Sequence, residues 1–148
     1  MSMKFDLPRI FAAFRPRGGE DATRVLALTC SERDRRDLEE IASRNRWRLS
    51  LAHSSAQAVE RLKSEPIGVV LCDRDIPGAD WRELMKVLRC CSPNSCVILI
   101  SGVNDDYLWE EVIRMGGYDV IQKPFQEPQI LPAVTLAWSY WKRYAPTK

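Results

Sequence analysis

The sequence predicts an α/β fold with a single doubly wound, five-stranded parallel sheet. Short apolar runs alternate with helical patterns five times between residues 23 and 144. The chain is 148 residues long, which is the size of one ordinary domain. Parallel strands are joined by right-handed crossovers, so the helices between them are expected on both faces of the sheet.

Alternation and capping signals predict the first two strand–helix units. Residues 24–29 form the first strand, and Ser31 with Asp34 three residues later resembles a capping box that starts a helix. Residues 47–51 alternate like a half-buried edge strand, and Ser55 is placed to cap the helix that follows.

Three further units follow the same pattern. Two continuous apolar runs are typical of central parallel strands, and helical apolar spacing follows each of them. A fifth strand then precedes a last helix. The predicted segments are strands at 67–72, 97–100 and 118–122, and helices at 81–88, at 107–115 and from near Pro128 onward.

The domain is expected to occupy residues 23–144. Residues 1–22 contain Pro8, Pro16, Gly18 and Gly19 without sustained periodicity, which predicts an extension or linker. Residues 145–148 are a short C-terminal tail.

Composition excludes several classes of protein. With 45% hydrophobic and 28% charged residues, the chain has the composition of a soluble globular protein. Its net charge of +2 does not favour direct binding to nucleic acid. Neither a membrane-spanning apolar run nor a secretory signal is recognised, so a cytoplasmic location without membrane contact is predicted.

The five cysteines do not suggest a disulfide framework. Their number is odd and most lie in apolar segments, which predicts reduced and buried thiols. Cys90, Cys91 and Cys96 lack the paired spacing of a zinc site, and the single histidine is distant in sequence.

The chemistry is expected in the loops at the carboxyl ends of the strands, where ligands bind in such sheets. The first of these loops has no glycine-rich turn, which argues against nucleotide binding. Asp73, Ser101 and Lys123 follow three neighbouring strands. A carboxylate, a hydroxyl and an ammonium group together suit a phosphoryl group, as nucleophile, hydrogen-bond donor and counter-charge.

These residues resemble those of a known family. Asp73, Pro77-Gly78, Ser101-Gly102 and Lys123-Pro124-Phe125 have the order and spacing of the receiver domain of two-component response regulators. The resemblance implies a flavodoxin-like (βα)5 fold and a non-enzymatic role in phosphorelay signal transduction. It also implies that Asp73 is the phosphoacceptor and that Ser101 and Lys123 contact the phosphoryl group.

The chain departs from the family where magnesium binds. The family has two acidic residues after its first strand, and the corresponding positions here are Thr29 and Cys30. Both are neutral and are poor Mg²⁺ ligands, so only weak binding of Mg²⁺ is predicted. Glu32 or Asp75 would be the substitute carboxylates. Without the acidic pair, Lys123 is expected to pair directly with Asp73.

A second departure concerns the fifth strand. The family carries an aromatic residue three positions before its lysine, and Val120 stands there. Tyr118 lies two residues earlier, where a regular strand would point it to the same face as Val120.

The resemblance implies partners that bind through the fourth helix, the fifth strand and the fifth helix. A histidine kinase or another signalling protein is an expected partner, and a second copy of the chain is expected to bind through that face. Tyr140 and Tyr144 are predicted to remain exposed on that face.

Three functions stay open from the sequence. The favoured one is a stand-alone pseudo-receiver that acts through protein contacts, and the second is a conventional Mg²⁺-dependent receiver phosphorylated on Asp73 by a histidine kinase. A small α/β enzyme is disfavoured, because no nucleophile–base pair and no cofactor loop is evident.

Overall fold

The computed structural model describes residues 22–144 and confirms the predicted fold class. In chain order the elements are β1 (Thr23–Leu28), α1 (Glu32–Asn45), β2 (Trp47–Ala52), α2 (Ser55–Ser64), β3 (Val69–Asp73), α3 (Trp81–Cys91), β4 (Cys96–Ser101), α4 (Asp106–Arg114), β5 (Asp119–Gln122) and α5 (Glu127–Tyr144). The strands pair in parallel in the order β2-β1-β3-β4-β5. The predicted extension and tail lie outside the described residues, apart from residue 22.

The helices begin where side chains can cap them. Ser31 Oγ accepts the Asp34 N–H of α1 at 3.1 Å. The cap of α2 is Ser54, which accepts the Gln57 N–H at 3.2 Å, so the expectation of Ser55 was wrong by one residue. In each case the cap satisfies a backbone donor that has no partner within the helix.

The sheet is covered on both faces, as right-handed crossovers require. Helices α2, α3 and α4 pack on one face, and α1 and α5 pack on the other. Successive residues of β3 alternate between these two cores, so the strand is buried throughout. Among the described residues, no helix combines the length and apolarity needed to span a membrane.

The helix α5 lies close to the sheet at the amino-terminal end of β3. Its Trp138 and Trp141 rings stack with centroids 4.8 Å apart. They cover Gly68, where a Cβ atom would come within 2.6 Å of Trp138 Cε3. The two rings therefore leave no room for a side chain at position 68, so the packing requires glycine there.

The fifth strand corrects one expectation. Val120 is buried in the core beneath α2, α3 and α4, whereas Tyr118 packs against the opposite core. Tyr118 lies before the first residue of β5 and does not follow the alternation of the strand. The predicted placement of the two side chains on one face was wrong.

The cysteines also differ from the prediction. All five are free, but Cys30, Cys90 and Cys91 are exposed, and only Cys72 and Cys96 are buried. Burial, with a smaller contribution from the Asp73 charge, raises the pKa of Cys72 to about 12. The Cys72 thiol is therefore neutral at physiological pH.

Replacing Gly68 with alanine is expected to lower the free energy of unfolding by about 2 kcal/mol, because the new Cβ displaces the stacked Trp rings. Gly102→Ala is the matched control, since a Cβ there meets no atom within 4 Å. Its effect is expected to stay within about 0.5 kcal/mol. Urea denaturation measures both, and equal values for the two variants would contradict the close packing at Gly68.

Candidate functional site

The predicted site residues meet at the carboxyl edge of the sheet. Thr29 follows β1, Asp73 ends β3, Ser101 ends β4 and Lys123 follows β5. The strand β2 pairs with β1 on one side, whereas β3 pairs with β1 on the other side. This reversal of strand order is where ligands bind in open α/β sheets.

Lys123 holds two carboxylates together. Its Nζ lies 2.7 Å from Asp34 Oδ2 and 3.0 Å from Asp73 Oδ1. The side chains of Asp34 and Asp73 are only 9% and 4% exposed, so water contributes little to their solvation. The ammonium group therefore supplies the compensating charge that a buried carboxylate needs.

The Thr29 hydroxyl lies between the same two carboxylates. Its Oγ1 is 3.2 Å from Asp34 Oδ2 and 3.2 Å from Asp73 Oδ2, and its one proton is donated to one of them at a time. Thr29 Oγ1 also accepts the Ser31 N–H at 3.1 Å. The threonine thus joins the start of α1 to the end of β3.

Both oxygens of Asp73 have partners. Oδ1 accepts from Lys123 Nζ and from the Asp75 N–H at 3.1 Å, and Oδ2 faces the Thr29 hydroxyl. A reaction at either oxygen would have to break a hydrogen bond of this cluster.

The electrostatics of the cluster favour a charged Lys123. Burial of Lys123 lowers its pKa, but hydrogen bonds and charge attraction from Asp34 and Asp73 outweigh burial and raise the pKa overall. The lysine is therefore an ammonium ion at neutral pH and does not act as a base there.

Asp34 was not among the predicted site residues. The predicted capping box required its carboxylate to reach back to the start of α1, but it binds Lys123 and Thr29. Only the Ser31 half of that box is present. The available signal was its spacing of four and seven residues before Leu38 and Ile41, which places a charge on the buried face of α1.

Two other predicted positions have partners outside the carboxylate cluster. Ser101 is fully buried, and its Oγ accepts the Val103 N–H at 2.9 Å. Cys30 Sγ lies 3.3 Å from the carbonyl oxygen of His53, to which it donates. Of the two positions that replace the acidic pair, only Thr29 joins the cluster.

The two predicted substitute carboxylates do not join it either. Glu32 is exposed and pairs with Arg35 on the surface of α1, which lowers the pKa of Glu32. Asp75 is exposed and contributes only its backbone N–H. The carboxylate that shares Lys123 and Thr29 with Asp73 is instead Asp34.

The donor set does not fit Mg²⁺. This ion requires oxygen ligands in octahedral geometry and usually binds one or two carboxylates. Asp34 and Asp73 converge here, but the ammonium group of Lys123 lies between them and repels a cation. Across residues 22–144, no three side chains of His, Cys, Asp or Glu are grouped to hold a metal ion.

Comparison with known proteins identifies the family. Residues 20–135 match the family model described as the response regulator receiver domain. The chain belongs to this family. The predicted resemblance to this family is therefore confirmed.

The relatives of this receiver domain differ in the share of their own length that it matches. Sporulation initiation phosphotransferase F of Bacillus subtilis is 27% identical over 111 residues, which are 75% of the chain and 84% of that protein. The C4-dicarboxylate transport transcriptional regulatory protein DctD of Pseudomonas aeruginosa is 39% identical over 70 residues, 47% of the chain and 15% of that protein. The chain spans less than a third of the length of the first relatives that it matches.

Solved receiver domains share the fold. The signal receiver domain of an HD domain-containing protein from Pseudomonas fluorescens Pf-5 has a TM-score of 0.74 at 23% identity, covering 82% of the chain and 98% of that structure. The beryllofluoride-activated NtrC4 receiver domain dimer has a TM-score of 0.73 at 24% identity, covering 80% and 98%. At these identities the likeness is one of fold.

Lys123→Met is expected to lower the free energy of unfolding at pH 7 by about 3 kcal/mol, because it leaves two buried carboxylates without a counter-charge. Lys86→Met is the control, since Lys86 and its partner Glu83 are 67% and 68% exposed. Its effect is expected to stay below about 1 kcal/mol. Adding Asp34→Asn to Lys123→Met should recover part of the loss. Equal effects of the two single variants would contradict the cluster.

The stability contributed by Lys123 is expected to depend on pH at the alkaline end. Its folded pKa is raised, so the contribution is fully present below the unfolded pKa of about 10.4 and is lost as pH rises through the folded value. The difference in unfolding free energy between wild type and Lys123→Met should therefore be nearly constant from pH 7 to about 9 and shrink at higher pH. A difference that persists unchanged at high pH would contradict this assignment.

Proposed function

We propose that this receiver domain is a pseudo-receiver that signals through protein contacts without phosphorylation of Asp73. The bridging of Asp34 and Asp73 by the Lys123 ammonium group is the observation that supports this proposal most directly. Lys123 stands where the family resemblance places the residue that contacts the phosphoryl group. Here it already has two carboxylate partners.

The charge balance of the site supports the same proposal. Two carboxylates and one ammonium group leave one net negative charge in a largely buried cluster. A phosphoryl group on Asp73 would add negative charge next to Asp34. Without a bound cation this addition is unfavourable, because like charges at short distance repel strongly where solvent is scarce.

The conventional receiver function is the second candidate. Asp73, Ser101 and Lys123 do end or follow their strands at one edge, as the family pattern requires. Under this alternative a histidine kinase phosphorylates Asp73, and Lys123 has to exchange Asp34 for the phosphoryl group.

For the contacts we propose the face formed by α4, β5 and α5. Large apolar side chains are exposed on its helices, with Trp109 46% exposed and Tyr107 86% exposed on α4. Arg82 of α3 is paired with Glu111 of α4, with Arg82 Nη2 lying 3.0 Å from Glu111 Oε1, which holds α4 against its neighbour. The face is thus suited to act as a fixed surface.

The partners proposed for this face are a histidine kinase, another signalling protein or a second copy of the chain. They rest on family membership, as does a cytoplasmic setting. Receiver domains are signalling modules, and we propose that the chain has no catalytic activity of its own.

Incubation with Mg²⁺ and acetyl phosphate is expected to leave the mass of the wild-type protein unchanged, because Lys123 is already paired and the acidic pair is absent. The triple variant Thr29→Asp, Cys30→Asp, Asp34→Ala restores that pair and releases the lysine from Asp34. It should gain the mass of one phosphoryl group. Intact-mass spectrometry provides the measurement.

The control adds Asp73→Asn to the triple variant, which should abolish the gain. A phosphoryl adduct on the wild-type protein that disappears in Asp73→Asn would reject the pseudo-receiver and favour the conventional receiver. Circular dichroism of each variant checks that the fold is retained.

A further inference from the structure

An exposed apolar stripe runs along the outer face of α5. Leu136, Tyr140 and Tyr144 follow one another at intervals of four residues and are 37%, 51% and 60% exposed. The Tyr140 ring contacts Tyr144 at a centroid distance of 4.6 Å and Tyr118 at 6.1 Å. We call Leu136, Tyr140, Tyr144 and Tyr118 the tyrosine stripe.

The tyrosine end of the stripe lies at the amino-terminal edge of the sheet, opposite the carboxylate cluster. Tyr118 immediately precedes β5. One turn of α5 away, the Trp138 and Trp141 rings cover Gly68, which immediately precedes β3. The last turns of α5 are thus placed over the starts of the strands.

The chain enters the domain at the same edge. The Gly68 N–H donates to the carbonyl oxygen of Arg24 at 3.2 Å, next to the first residue of β1. The rings that cover Gly68 therefore lie close to the point where residues 1–21 join the domain. Residue 22, to which this segment is attached, therefore lies at the same edge of the sheet as the tyrosine end of the stripe.

Residues 1–21 carry apolar side chains that match the stripe in chemistry. Although the segment has no sustained periodicity, its first fourteen residues include Phe5, Leu7, Ile10, Phe11 and Phe14. From residue 22 back to Phe14 is eight residues, a reach of up to about 27 Å when extended. The stripe from Leu136 to Tyr144 is about 12 Å long, so the segment is long enough to cover it from end to end.

We propose that residues 1–21 dock on the tyrosine stripe of their own chain through Phe11 and Phe14. Phenylalanine and tyrosine rings pack edge-to-face with each other, as Tyr118 and Tyr140 already do. A second copy would have to bind the stripe from solution, whereas the tethered segment is present at millimolar effective concentration. The segment is therefore the favoured occupant, and a partner that binds this part of the face has to displace it.

Photocrosslinking of the full chain tests the proposal. Benzoylphenylalanine is placed at position 11, and equal amounts of ¹⁵N-labelled and unlabelled protein are mixed before irradiation. The expected crosslinks join position 11 to peptides of α5 within one copy, so that both peptides carry the same isotope. The variant Tyr140→Ala, Tyr144→Ala should lose these crosslinks, whereas Tyr107→Ala, which changes a more exposed ring on α4, should keep them.

Two results would overturn the proposal. Crosslinks that combine the two isotopes would show that the stripe binds the segment of a second copy. Crosslinks that do not include peptides of α5 would show that the segment binds another surface. A second measurement avoids changes in the folded domain: in Phe11→Ser, Phe14→Ser the amides of residues 136–144 should exchange hydrogen severalfold faster than in the wild type. Unchanged exchange would also reject the proposal.

Discussion

The ammonium group of Lys123, shared by two buried carboxylates, is the interaction on which the arrangement of the carboxyl edge of this domain depends. Each member of the cluster comes from a different element: Asp34 from α1, Asp73 from β3, and Lys123 from the residue after β5. Each charge depends on the others, because these buried groups are too poorly hydrated to remain charged without a partner of opposite charge. The cluster therefore connects a helix, a central strand and an outer strand through one group of contacts. A site whose charges are satisfied within the protein in this way supports the proposed role as a pseudo-receiver.

The two edges of the sheet differ in chemistry, and α5 extends between them. It begins four residues after Lys123 at the ionic edge and ends at Tyr144 beside the strand starts. Along the way its buried side chains pack on the same core as α1. Asp34 is anchored on α1, so the helix layer on this face is tied to the ionic cluster as well as to the apolar core. The helix α5 of the proposed contact face and the carboxylate cluster thus belong to one packed unit.

Much of the fold was predictable because each strand has a local signature. Continuous apolar runs mark the buried strands, and right-handed crossovers then leave few arrangements of five strands. The meeting of Asp73 with Lys123 followed from their positions at strand ends. The role of Asp34 could not be predicted from the sequence, because a carboxylate in the first turn of a helix is suited both to capping and to a buried contact. Only the packing of α1 decides between these roles.

Asp34 also constrains how this site can change. A single substitution of Thr29 by aspartate would bring a third carboxylate up to the two that already share one ammonium group, since the threonine hydroxyl lies 3.2 Å from each of them. That substitution would destabilise the cluster while Asp34 remained, and loss of Asp34 alone would leave Asp73 without the acidic pair that the family pattern places beside it. Neither intermediate gains function before the other change is made. Under the proposed pseudo-receiver function, the order of the two changes, as well as their number, would decide whether phosphotransfer could be gained.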